Sequence, residues 1–475
     1  MAQPQRTTFE RTTFETSRAA EYFDARQLSA LVGVSQDEFA SVCLKELVDN
    51  SLDACETAGV KPVVGVKVER EDDLMRLSVS DNGPGLPAEV VRKVLDYNIR
   101  VSDKAAYRSP TRGAQGNALK TVIGIPYALG SREPLVVKAQ GVSHRIKPWV
   151  DPAGAVHFDY TSAETVLESP GTTVSLEMPT GLSGDAAAIA AASGYPNDHV
   201  AQALDAIHWA RSFAAFNPHA TLSYLGKEGA VEDVEIYKST HEGPFKKYVP
   251  SQPTSPHWYS SESLKVLVFS HIGHARKGGR DLPLGEFIRQ FQGLTSTAKA
   301  KAVMGRLAGH GFTHLSDFEG SEEKVGELVG AMQAESKEPK PKALGFVGKE
   351  HFETFFERVY GSVMETTYVR NSSTMPSGLP FTFEFALAHL DEPGHLYCGI
   401  NFSPTFGDPL EGTTIAGPEF RAGGIKGFLG SAFALPETED AWWRTPASVA
   451  VAAHIITPAP LFLDRGKTRL DMEGA

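Results

Sequence analysis

The sequence predicts an α+β protein built from several domains. Its 475 residues are enough for about three domains of ordinary size. An apolar content of 41% and a charged content of 22% are typical of a globular chain with a substantial core. Helical periodicity and strand-like alternation follow each other within residues 21–250. Together these observations indicate helices packed on a mixed sheet, followed by further domains.

The composition excludes several classes of protein. A formal net charge of −12 excludes a globally basic nucleic-acid coat, so any DNA contact must come from a local basic patch. Cys43, Cys55 and Cys398 have neither metal-binding spacing nor the pattern of a disulfide framework. For Cys43 and Cys55 we expect buried free thiols. No apolar run resembles a signal segment or approaches the length of a membrane span. A cytoplasmic protein without membrane contact is therefore expected.

A short duplication marks the first 20 residues. Residues 6–10 and 11–15 both read Arg-Thr-Thr-Phe-Glu, and two copies of five residues are too short for a repeat architecture. One interpretation is a frayed terminus. The other is an N-terminal arm, residues 1–20, that crosses onto a second subunit.

One long predicted helix organises the rest of the chain, after a shorter helix predicted over 19–31. Ser35 followed by Glu38 forms a capping box. Apolar residues then recur at helical spacing through residues 39–52. Gly59 is a suitable helix stop. The sequence therefore predicts a helix that begins just after Ser35.

One face of this helix carries two carboxylates and an amide. Glu46, Asn50 and Asp53 are four and three residues apart, so they lie on the same side. Alone, such a trio is usually a solvated helix face. Two glycine-bearing segments downstream, residues 80–85 and 112–116, favour a ligand site instead.

Strand-like alternation follows the long helix. Strands are predicted over 63–68 and 74–79, and the second delivers Asp81 to its end. Alone, the Asp-Asn-Gly-Pro-Gly segment after that strand is a plain turn. A helix over 90–98 precedes a polar, lid-like segment at 102–111. Further strands are predicted at 135–138, 144–149, 156–160, 171–176 and 220–224, and further helices from 116 and over 199–216.

Two boundaries divide the remaining residues. Residues 251–257 are rich in proline and serine, and residues 335–342 are charged and carry two prolines. Between them, short helices are predicted over 284–291, 297–307 and 322–333, while 263–271 fits either a helix or a strand. After the second boundary the pattern predicts a helix over 349–360 and strands over 381–388 and 449–456.

Taken together, three motifs resemble the ATP site of a known family. Residues 45–54 read Lys-Glu-Leu-Val-Asp-Asn-Ser-Leu-Asp-Ala, residues 80–85 read Ser-Asp-Asn-Gly-Pro-Gly, and residues 112–116 read Arg-Gly-Ala-Gln-Gly. They resemble the site shared by gyrase, the ninety-kilodalton heat-shock chaperone, histidine kinases and MutL, the GHKL family. The first motif is most similar to the B subunits of topoisomerase VI, the type IIB topoisomerases. The resemblance implies a GHKL (Bergerat) α/β sandwich that binds ATP and Mg²⁺.

The chemistry of ATP suits individual residues of these motifs. An ionised Asp81 only accepts hydrogen bonds and suits the exocyclic amino group of adenine, whereas guanine would place a second acceptor there. Asn50 offers an amide oxygen to Mg²⁺, a hard ion that prefers oxygen ligands. Glu46 lies one helical turn before Asn50 and suits the role of general base for the attacking water.

Four glycines of these motifs suit close contact with the adenine ring and the phosphates of ATP. Gly83 and Gly85 let the backbone approach the adenine, and Gly113 and Gly116 suit a phosphate cradle of backbone N–H groups. Family members usually carry a further glycine where this chain has Ala118. The resemblance adds nucleotide contacts from Asp53, Ser102, Lys104, Arg112, Ala114, Gln115, Asn117, Ala118, Lys120 and Thr172.

Lys467 resembles the switch lysine that this family's transducer domain inserts toward the γ-phosphate. A cation on a loop can report whether the third phosphate is present. By itself, such a lysine is usually a solvated side chain. The apolar segment before it and the adjacent Gly466 favour the switch interpretation.

The resemblance implies four parts and a function. These are an arm (1–20), a GHKL ATPase domain (21–250), a small helical helix–two-turn–helix-like domain (251–340) and an α/β transducer domain (341–475). The implied protein is an ATP-dependent homodimer that joins a topoisomerase VI A-like DNA-cleaving subunit in a heterotetramer. It would drive a gate for double-stranded DNA at the nucleoid.

One alternative to a topoisomerase subunit stays open. A stand-alone GHKL ATPase, chaperone-like or part of a defence system, would hydrolyse ATP without strand passage. A histidine kinase is disfavoured, because no helical dimerisation histidine precedes the ATP motifs.

Overall fold

The described residues form two β-sheets, and a group of helices lies between the two sheets in the sequence. This architecture confirms the predicted α+β class. The computed structural model describes residues 18–97, 106–112, 118–166, 170–179, 204–249, 251–413, 418–433, 444–445, 448–464 and 466–471.

The first sheet has eight strands in the order β5-β4-β3-β6-β2-β1-β7-β8. Neighbouring strands are antiparallel except β1 and β7, which run parallel. Along β2, alternate residues from Met75 to Asp81 are buried, so the strand period of two directs the Asp81 carboxylate inward. The strands are β1 (Val63–Glu71), β2 (Leu74–Asp81), β3 (Leu135–Ala139), β4 (Val142–Val150), β5 (Val156–Glu164), β6 (Thr172–Pro179), β7 (Thr221–Glu228) and β8 (Val231–Tyr237).

The long helix α2 (Phe39–Thr57) packs against β1 and β2. The predicted capping box between Ser35 and Glu38 is present and encloses one 3₁₀ turn before α2 begins. Gly59, with a φ of +69°, follows the last turn in the left-handed region that glycine adopts readily. Twelve residues of α2 are buried, which explains why a helix with carboxylates on one side lies inside the domain.

The helix predicted over 19–31 is wrong in one respect, because it is interrupted. Arg18–Tyr22 form a 3₁₀ turn, and α1 spans Ala25–Val32. The Asp24 carboxylate accepts a hydrogen bond from the backbone N–H of Gln27 at 2.9 Å and so caps a new helix. Among the described residues, this region also contains the helices α3 (Ala88–Val94), α4 (Ala118–Ala128) and α5 (Ala206–Phe216).

Four helices follow the first sheet: α6 (Ser261–Arg276), α7 (Leu284–Ile288), α8 (Thr297–Arg306) and α9 (Lys324–Ala334). The segment 263–271, which fitted helix or strand, lies within α6. Ser260 and Ser263 form reciprocal caps at its start. Fully buried Leu264, Phe287 and Met332 come from different helices of this set, so the four helices share one apolar core.

The second sheet has five strands in the order β12-β11-β13-β10-β9. All eight residues of β13 are buried, and this central strand reads as a continuous apolar run, typical of a strand covered on both faces. The strands are β9 (Glu365–Thr374), β10 (Pro380–His389), β11 (Leu396–Ile400), β12 (Ser403–Pro404) and β13 (Val449–Ile456). Helix α10 (Lys349–Tyr360) packs against α5 and β10, and α11 (Pro418–Ala432) is kinked at Gly423 and Gly424.

The cysteines and the lack of a membrane-spanning segment were both predicted from the sequence. Cys43 and Cys55 are buried free thiols, as predicted, and Cys398 is buried and free as well. Across the described ranges, no helix combines the length and the apolar character that crossing a membrane requires.

Candidate functional site

The carboxylate of Asp81 lies between the end of β2 and helix α2. Its Oδ1 accepts hydrogen bonds from the backbone N–H groups of Gly83 at 2.8 Å and Thr172 at 3.2 Å. Burial raises the pKa of Asp81, and these bonds, with one from the Ser51 hydroxyl, oppose the rise. A carboxylate has about four lone-pair positions. Asp81 therefore retains acceptor capacity for an amino group in the same pocket.

Glycines allow the backbone around Asp81 to pack closely. Gly85 has a φ of +79°, and a Cβ there would meet Cγ of Gln140 at 2.9 Å. A Cβ on Gly171 would overlap the carbonyl oxygen of Asp81. The Thr172 hydroxyl accepts a hydrogen bond from the N–H of Leu86 at 3.0 Å. The start of β6 and the turn after β2 therefore form one rigid wall.

Asn82 fastens this turn to the neighbouring strand. Its Oδ1 accepts from the N–H of Val63 at 2.9 Å, and its Nδ2 donates to the carbonyl of Lys61 at 3.1 Å. The Cys55 thiol lies 3.3 Å from Oδ1 of Asn82. The motif analysis assigned no role to Asn82, although its place between Asp81 and Gly83 was a usable signal.

The predicted catalytic face of α2 is only partly covered. Glu46 is half-buried and Asn50 is exposed. Burial raises the pKa of Glu46, Lys45 and Lys467 lower it, and Asp49 raises it, with a net shift upward. An upward-shifted carboxylate is a stronger base than an ordinary glutamate once it is ionised.

Lys467 lies on a turn that Asp464 organises. Oδ1 of Asp464 accepts from the N–H of Thr468 at 2.9 Å, and Oδ2 accepts from the N–H of Arg469 at 3.0 Å. Lys467 itself has a φ of +57°. A Cβ on Gly466 would press against the carbonyl of Gly33, so this turn touches the end of α1.

The same turn brings Lys467 close to α2. Burial lowers the pKa of Lys467 and Glu46 raises it, with a net shift downward. The C-terminal lysine and the predicted general base therefore interact electrostatically, although they are distant in sequence.

Arg112 points away from solvent into a buried ion network. Its Nη1 donates to Asp53 Oδ1 at 3.0 Å and to Glu56 Oε2 at 2.8 Å, and Nη2 donates to Asn217 Oδ1. Its Nε donates to the carbonyl of Phe402 at 3.2 Å. Burial lowers the pKa of Arg112, but Glu56 and Asp53 outweigh burial and raise it. The guanidinium thus anchors the chain immediately before residues 113–116, and Asp53 of the predicted face is one of its partners.

Glu56 is the centre of this network. Lys247 Nζ donates to Glu56 Oε2 at 2.7 Å, and His219 Nε2 lies 2.7 Å from Oε1. Burial raises the pKa of Glu56, but Arg112 and Lys247 outweigh it and hold the pKa well below its usual range. Both carboxylate oxygens of Glu56 are paired, and leaving that buried charge unpaired would be costly. Among the described residues, His219 Nδ1 has no hydrogen-bond partner.

Lys120, on the first turns of α4, contacts the segment after α3. Its Nζ donates to the carbonyl of Asp96 at 2.7 Å and lies 5.3 Å from the centre of the Tyr97 ring. The Tyr97 hydroxyl donates to the carbonyl of Lys120 at 2.9 Å. Ala118 is the first residue of α4. The other predicted contacts of the lid and the phosphate cradle lie outside the described residues: Ser102, Lys104, Gly113, Ala114, Gln115, Gly116 and Asn117.

Motif analysis missed a second set of polar residues beside the predicted base. Lys45 Nζ donates to Asp49 Oδ2 at 2.7 Å and to Ser403 Oγ at 2.9 Å. The spacing of four between Lys45 and Asp49 was readable as a helical ion pair. Ser403, on β12, carried no signal that pattern analysis can detect.

The donor set around Asn50 is compatible with Mg²⁺ bound together with a nucleotide. Among the residues described, no cluster of three or more His, Cys, Asp or Glu could hold a metal ion. Mg²⁺ bound to a nucleotide needs no such cluster, since one or two protein oxygens, phosphate oxygens and waters complete its shell. The exposed amide of Asn50 is an oxygen donor of this kind.

Comparison with known proteins identifies the domain that contains this site. Residues 36–181 match the family described as histidine kinase-, DNA gyrase B-, and HSP90-like ATPase. The chain carries a GHKL-type ATPase domain. The match covers α2, β2 and Asp81, whereas Asn217, Lys247, Ser403 and Lys467 lie beyond residue 181.

Curated relatives extend the likeness beyond the ATPase domain. All three described here are B subunits of type 2 DNA topoisomerase 6. The protein from Natronomonas pharaonis is 31% identical over 165 residues, 34% of this chain and 20% of the relative. The one from Archaeoglobus fulgidus is 28% identical over 222 residues, 45% and 33% of the two chains. The one from Thermococcus onnurineus is 22% identical over 426 residues, 79% and 70%. The first two alignments thus span a third or less of the relatives' length.

Proposed function

We propose that this chain is the ATP-hydrolysing subunit of a DNA topoisomerase of the topoisomerase 6 type. The observation that carries the proposal is the packing of the Lys467 turn on the end of α1, where a Cβ on Gly466 would press against the carbonyl of Gly33. From this position the charge of Lys467 acts on the pKa of Glu46. The similarity to several topoisomerase 6 B subunits supports it. The proposed domains are an arm (1–20), the ATPase domain (21–250), a helix–two-turn–helix-like domain (251–340) and a transducer (341–475).

The proposed nucleotide site divides its tasks between α2 and β2. Asp81 accepts a hydrogen bond from the amino group of adenine, in the wall built by Gly83 and Thr172. Asn50 holds Mg²⁺, which would supply charge neutralisation at the phosphates. Glu46 orients the attacking water and removes its proton, and its raised pKa brings it closer to the operating pH.

Lys467 acts in this proposal as the sensor of the third phosphate. A lysine that contacts the γ-phosphate binds ATP better than ADP, and that difference in affinity biases the position of the transducer. A charge-assisted contact contributes about 1.5–3 kcal/mol, or about 10- to 150-fold in the equilibrium between two arrangements. The turn held by Asp464 restricts Lys467 to a small set of positions from which to make that contact.

The proposed partners follow from the proposed reaction. Two copies of this chain close on ATP, and each engages an A-type DNA-cleaving subunit, so that closure moves a gate for double-stranded DNA. The net charge of −12 restricts DNA contact to local patches.

Reconstitution with the A-type subunit of a topoisomerase 6 tests the proposed function. Phosphate release should depend on ATP and Mg²⁺, and the mixture should relax supercoiled DNA only with both subunits and hydrolysable ATP. ATP turnover without relaxation, across A-type subunits from several sources, would favour a stand-alone GHKL ATPase. Absence of ATP turnover would contradict the catalytic assignment itself.

A further inference from the structure

Two consecutive residues between β11 and β12 have an unusual backbone conformation. Asn401 has a φ of +51° and Phe402 a φ of +67°. Asparagine tolerates this left-handed region, but a positive φ is rare for a bulky residue such as phenylalanine. Two positive φ values in succession are what a two-residue hairpin turn requires, but phenylalanine in this conformation costs free energy and needs contacts that hold it there. The Asn401–Ser403 turn is therefore a candidate for a role beyond connecting two strands.

The second sheet holds this turn from one side. The amide of Asn401 forms two hydrogen bonds with the backbone of Thr457, each 2.9 Å long. The N–H of Phe402 donates to His454 Nε2 at 3.0 Å, and His454 Nδ1 lies 3.1 Å from Oε2 of the fully buried Glu384. The turn therefore moves with the second sheet.

The opposite side of the turn contacts the ATPase domain at Arg112. The carbonyl of Phe402 accepts from Arg112 Nε at 3.2 Å and from Asn217 Nδ2 at 3.0 Å. The Phe402 ring lies 4.7 Å from Lys247 Nζ, so both cations that neutralise Glu56 also touch this residue. Arg112 immediately precedes residues 113–116, the predicted phosphate cradle.

Ser403 makes the third contact, at the helix that carries Glu46. Its hydroxyl donates to Asp49 Oδ2 at 2.7 Å and accepts from Lys45 Nζ at 2.9 Å, while Lys45 and Asp49 are 2.7 Å apart. The three groups form a closed triangle, buried except for a small part of the lysine and the aspartate. Lys45 is adjacent to Glu46 and is the cation with the largest influence on it.

We infer that the Asn401–Ser403 turn couples the second sheet to the ATPase site, separately from Lys467, and that Ser403 is a positioning residue for Glu46 through Lys45. The inference rests on the proposed function, because it takes Glu46 as the general base. Buried hydrogen bonds to charged groups are costly to leave unmade. Any displacement of the second sheet therefore carries Lys45, Asp49 and Arg112 with it or removes one hydrogen bond from each of them.

Lys467 and the Asn401–Ser403 turn both connect the C-terminal part of the chain to the ATPase site, but they respond to different features of that site. Lys467 responds to the γ-phosphate, whereas the turn responds to the positions of α2 and of the chain before the phosphate cradle. Loss of Lys467 should therefore remove the difference between ATP and ADP. Loss of the Ser403 hydroxyl should weaken the transmission of either nucleotide's effect to the second sheet.

Ser403→Ala is the direct test, with Ser373→Ala on the exposed edge strand β9 as the matched control. Four quantities are measured: kcat for ATP, KM for ATP, the affinity for a non-hydrolysable analogue, and the distance between labels placed on the first and second sheets. Ser403→Ala should lower kcat about 10-fold, leave analogue affinity within about twofold, and reduce the nucleotide-dependent change in distance. Ser373→Ala should change none of these.

A double-mutant cycle separates positioning from general destabilisation. If Ser403 acts through Lys45, Ser403→Ala combined with Lys45→Met should lower kcat no more than the more damaging single substitution does. Additive losses, or an equal loss of kcat and affinity together with a lower melting temperature, would overturn the positioning role. Unchanged kcat and distance in Ser403→Ala would overturn the whole inference. If the wild-type chain shows no ATP turnover, the proposed function itself is wrong. If the wild-type chain turns over ATP and Ser403→Ala does so equally well, the proposed function stands and only this inference is wrong.

Discussion

Lys467, on the turn that Asp464 organises, is close enough to Glu46 of α2 for each charge to shift the pKa of the other. Burial dominates the pKa shift of each group, raising that of Glu46 and lowering that of Lys467, and each charge partly offsets the shift of the other. A residue near the end of the second α/β region thus influences the protonation of a residue in the ATPase helix. The C-terminal turn and helix α2 therefore influence each other through charge.

Glu46→Ala should abolish ATP turnover while ATP binding persists. Loss of a general base lowers kcat by about 10²- to 10⁴-fold, and Glu46 lies on a different element from the Asp81 pocket. Steady-state phosphate release measures the turnover, and calorimetry measures the binding. Glu232→Ala, on the exposed strand β8, is the control. Unchanged phosphate release from Glu46→Ala would exclude the role.

Asp81→Asn should weaken ATP binding. The substitution replaces an acceptor that holds two backbone N–H groups with an amide that also presents donors toward adenine. The loss of a charged hydrogen bond corresponds to about 10- to 150-fold in affinity. Calorimetric titration of both proteins with ATP measures this. Equal affinities would show that Asp81 is a structural residue of the turn.

Lys467→Ala should change both the conformational response and the pH profile. The distance between labels on the two sheets should no longer differ between ATP and ADP. Because Lys467 lowers the pKa of Glu46, its removal raises that pKa further, and the acid limb of kcat should move to higher pH. Lys277→Ala, at an exposed position, is the control. An ATP-dependent distance change that survives Lys467→Ala would exclude the switch role.

Acid should destabilise the protein partly through His351. Its Nε2 lies 3.0 Å from the carbonyl of Ala214, and its Nδ1 lies 2.5 Å from the Thr240 hydroxyl. Burial lowers the pKa of His351 to about 4. The folded state therefore holds this imidazole neutral, whereas the unfolded chain binds a proton below its ordinary pKa of 6.5.

The stabilisation by His351 is thus fully present above pH 6.5 and is lost as the pH falls toward 4. The free energy of unfolding should decline by up to about 1.4 kcal/mol per pH unit for this group. Denaturant titrations of the wild type and His351→Gln across this window measure the difference. The variant should show a shallower pH dependence, while His274→Gln, at an exposed position, should match the wild type. Identical slopes for His351→Gln and the wild type would contradict the assignment.

The protein should dimerise when ATP is bound. The prediction rests on the duplicated segment of residues 6–15 and on the similarity to topoisomerase 6 B subunits. Sedimentation with a non-hydrolysable ATP analogue should show a dimer at low micromolar concentration, and ADP should leave a monomer. A chain lacking residues 1–15 should dimerise less well if the arm crosses to the partner. A monomer in every nucleotide state would refute the prediction.

Local patterns in the sequence predicted the elements that carry the ATPase motifs. The capping box before α2 and the alternation of β2 depend on neighbouring residues, so Glu46 and Asp81 could be placed on their elements in advance. Strands β8 and β9 were missed, because their exposed residues lack clear alternation. The inward course of Arg112 was also missed, since its partners Glu56, Asn217 and Phe402 come from three distant segments. Long-range pairing of this kind leaves no local signal.

The network around Arg112 also has a consequence for the order in which the chain folds. On the ribosome, residues 45–112 emerge long before Phe402 and Ser403. Until then the charged groups of α2 and Arg112 lack the hydrogen bonds that these two residues supply. Contacts of such large sequence separation form slowly, because loop closure precedes them. An N-terminal fragment ending before β11 would therefore carry Lys45, Asp49 and Arg112 without the carbonyl and the hydroxyl that complete their pairing. We therefore expect nascent chains of that length to expose incompletely paired charges and to benefit from chaperones.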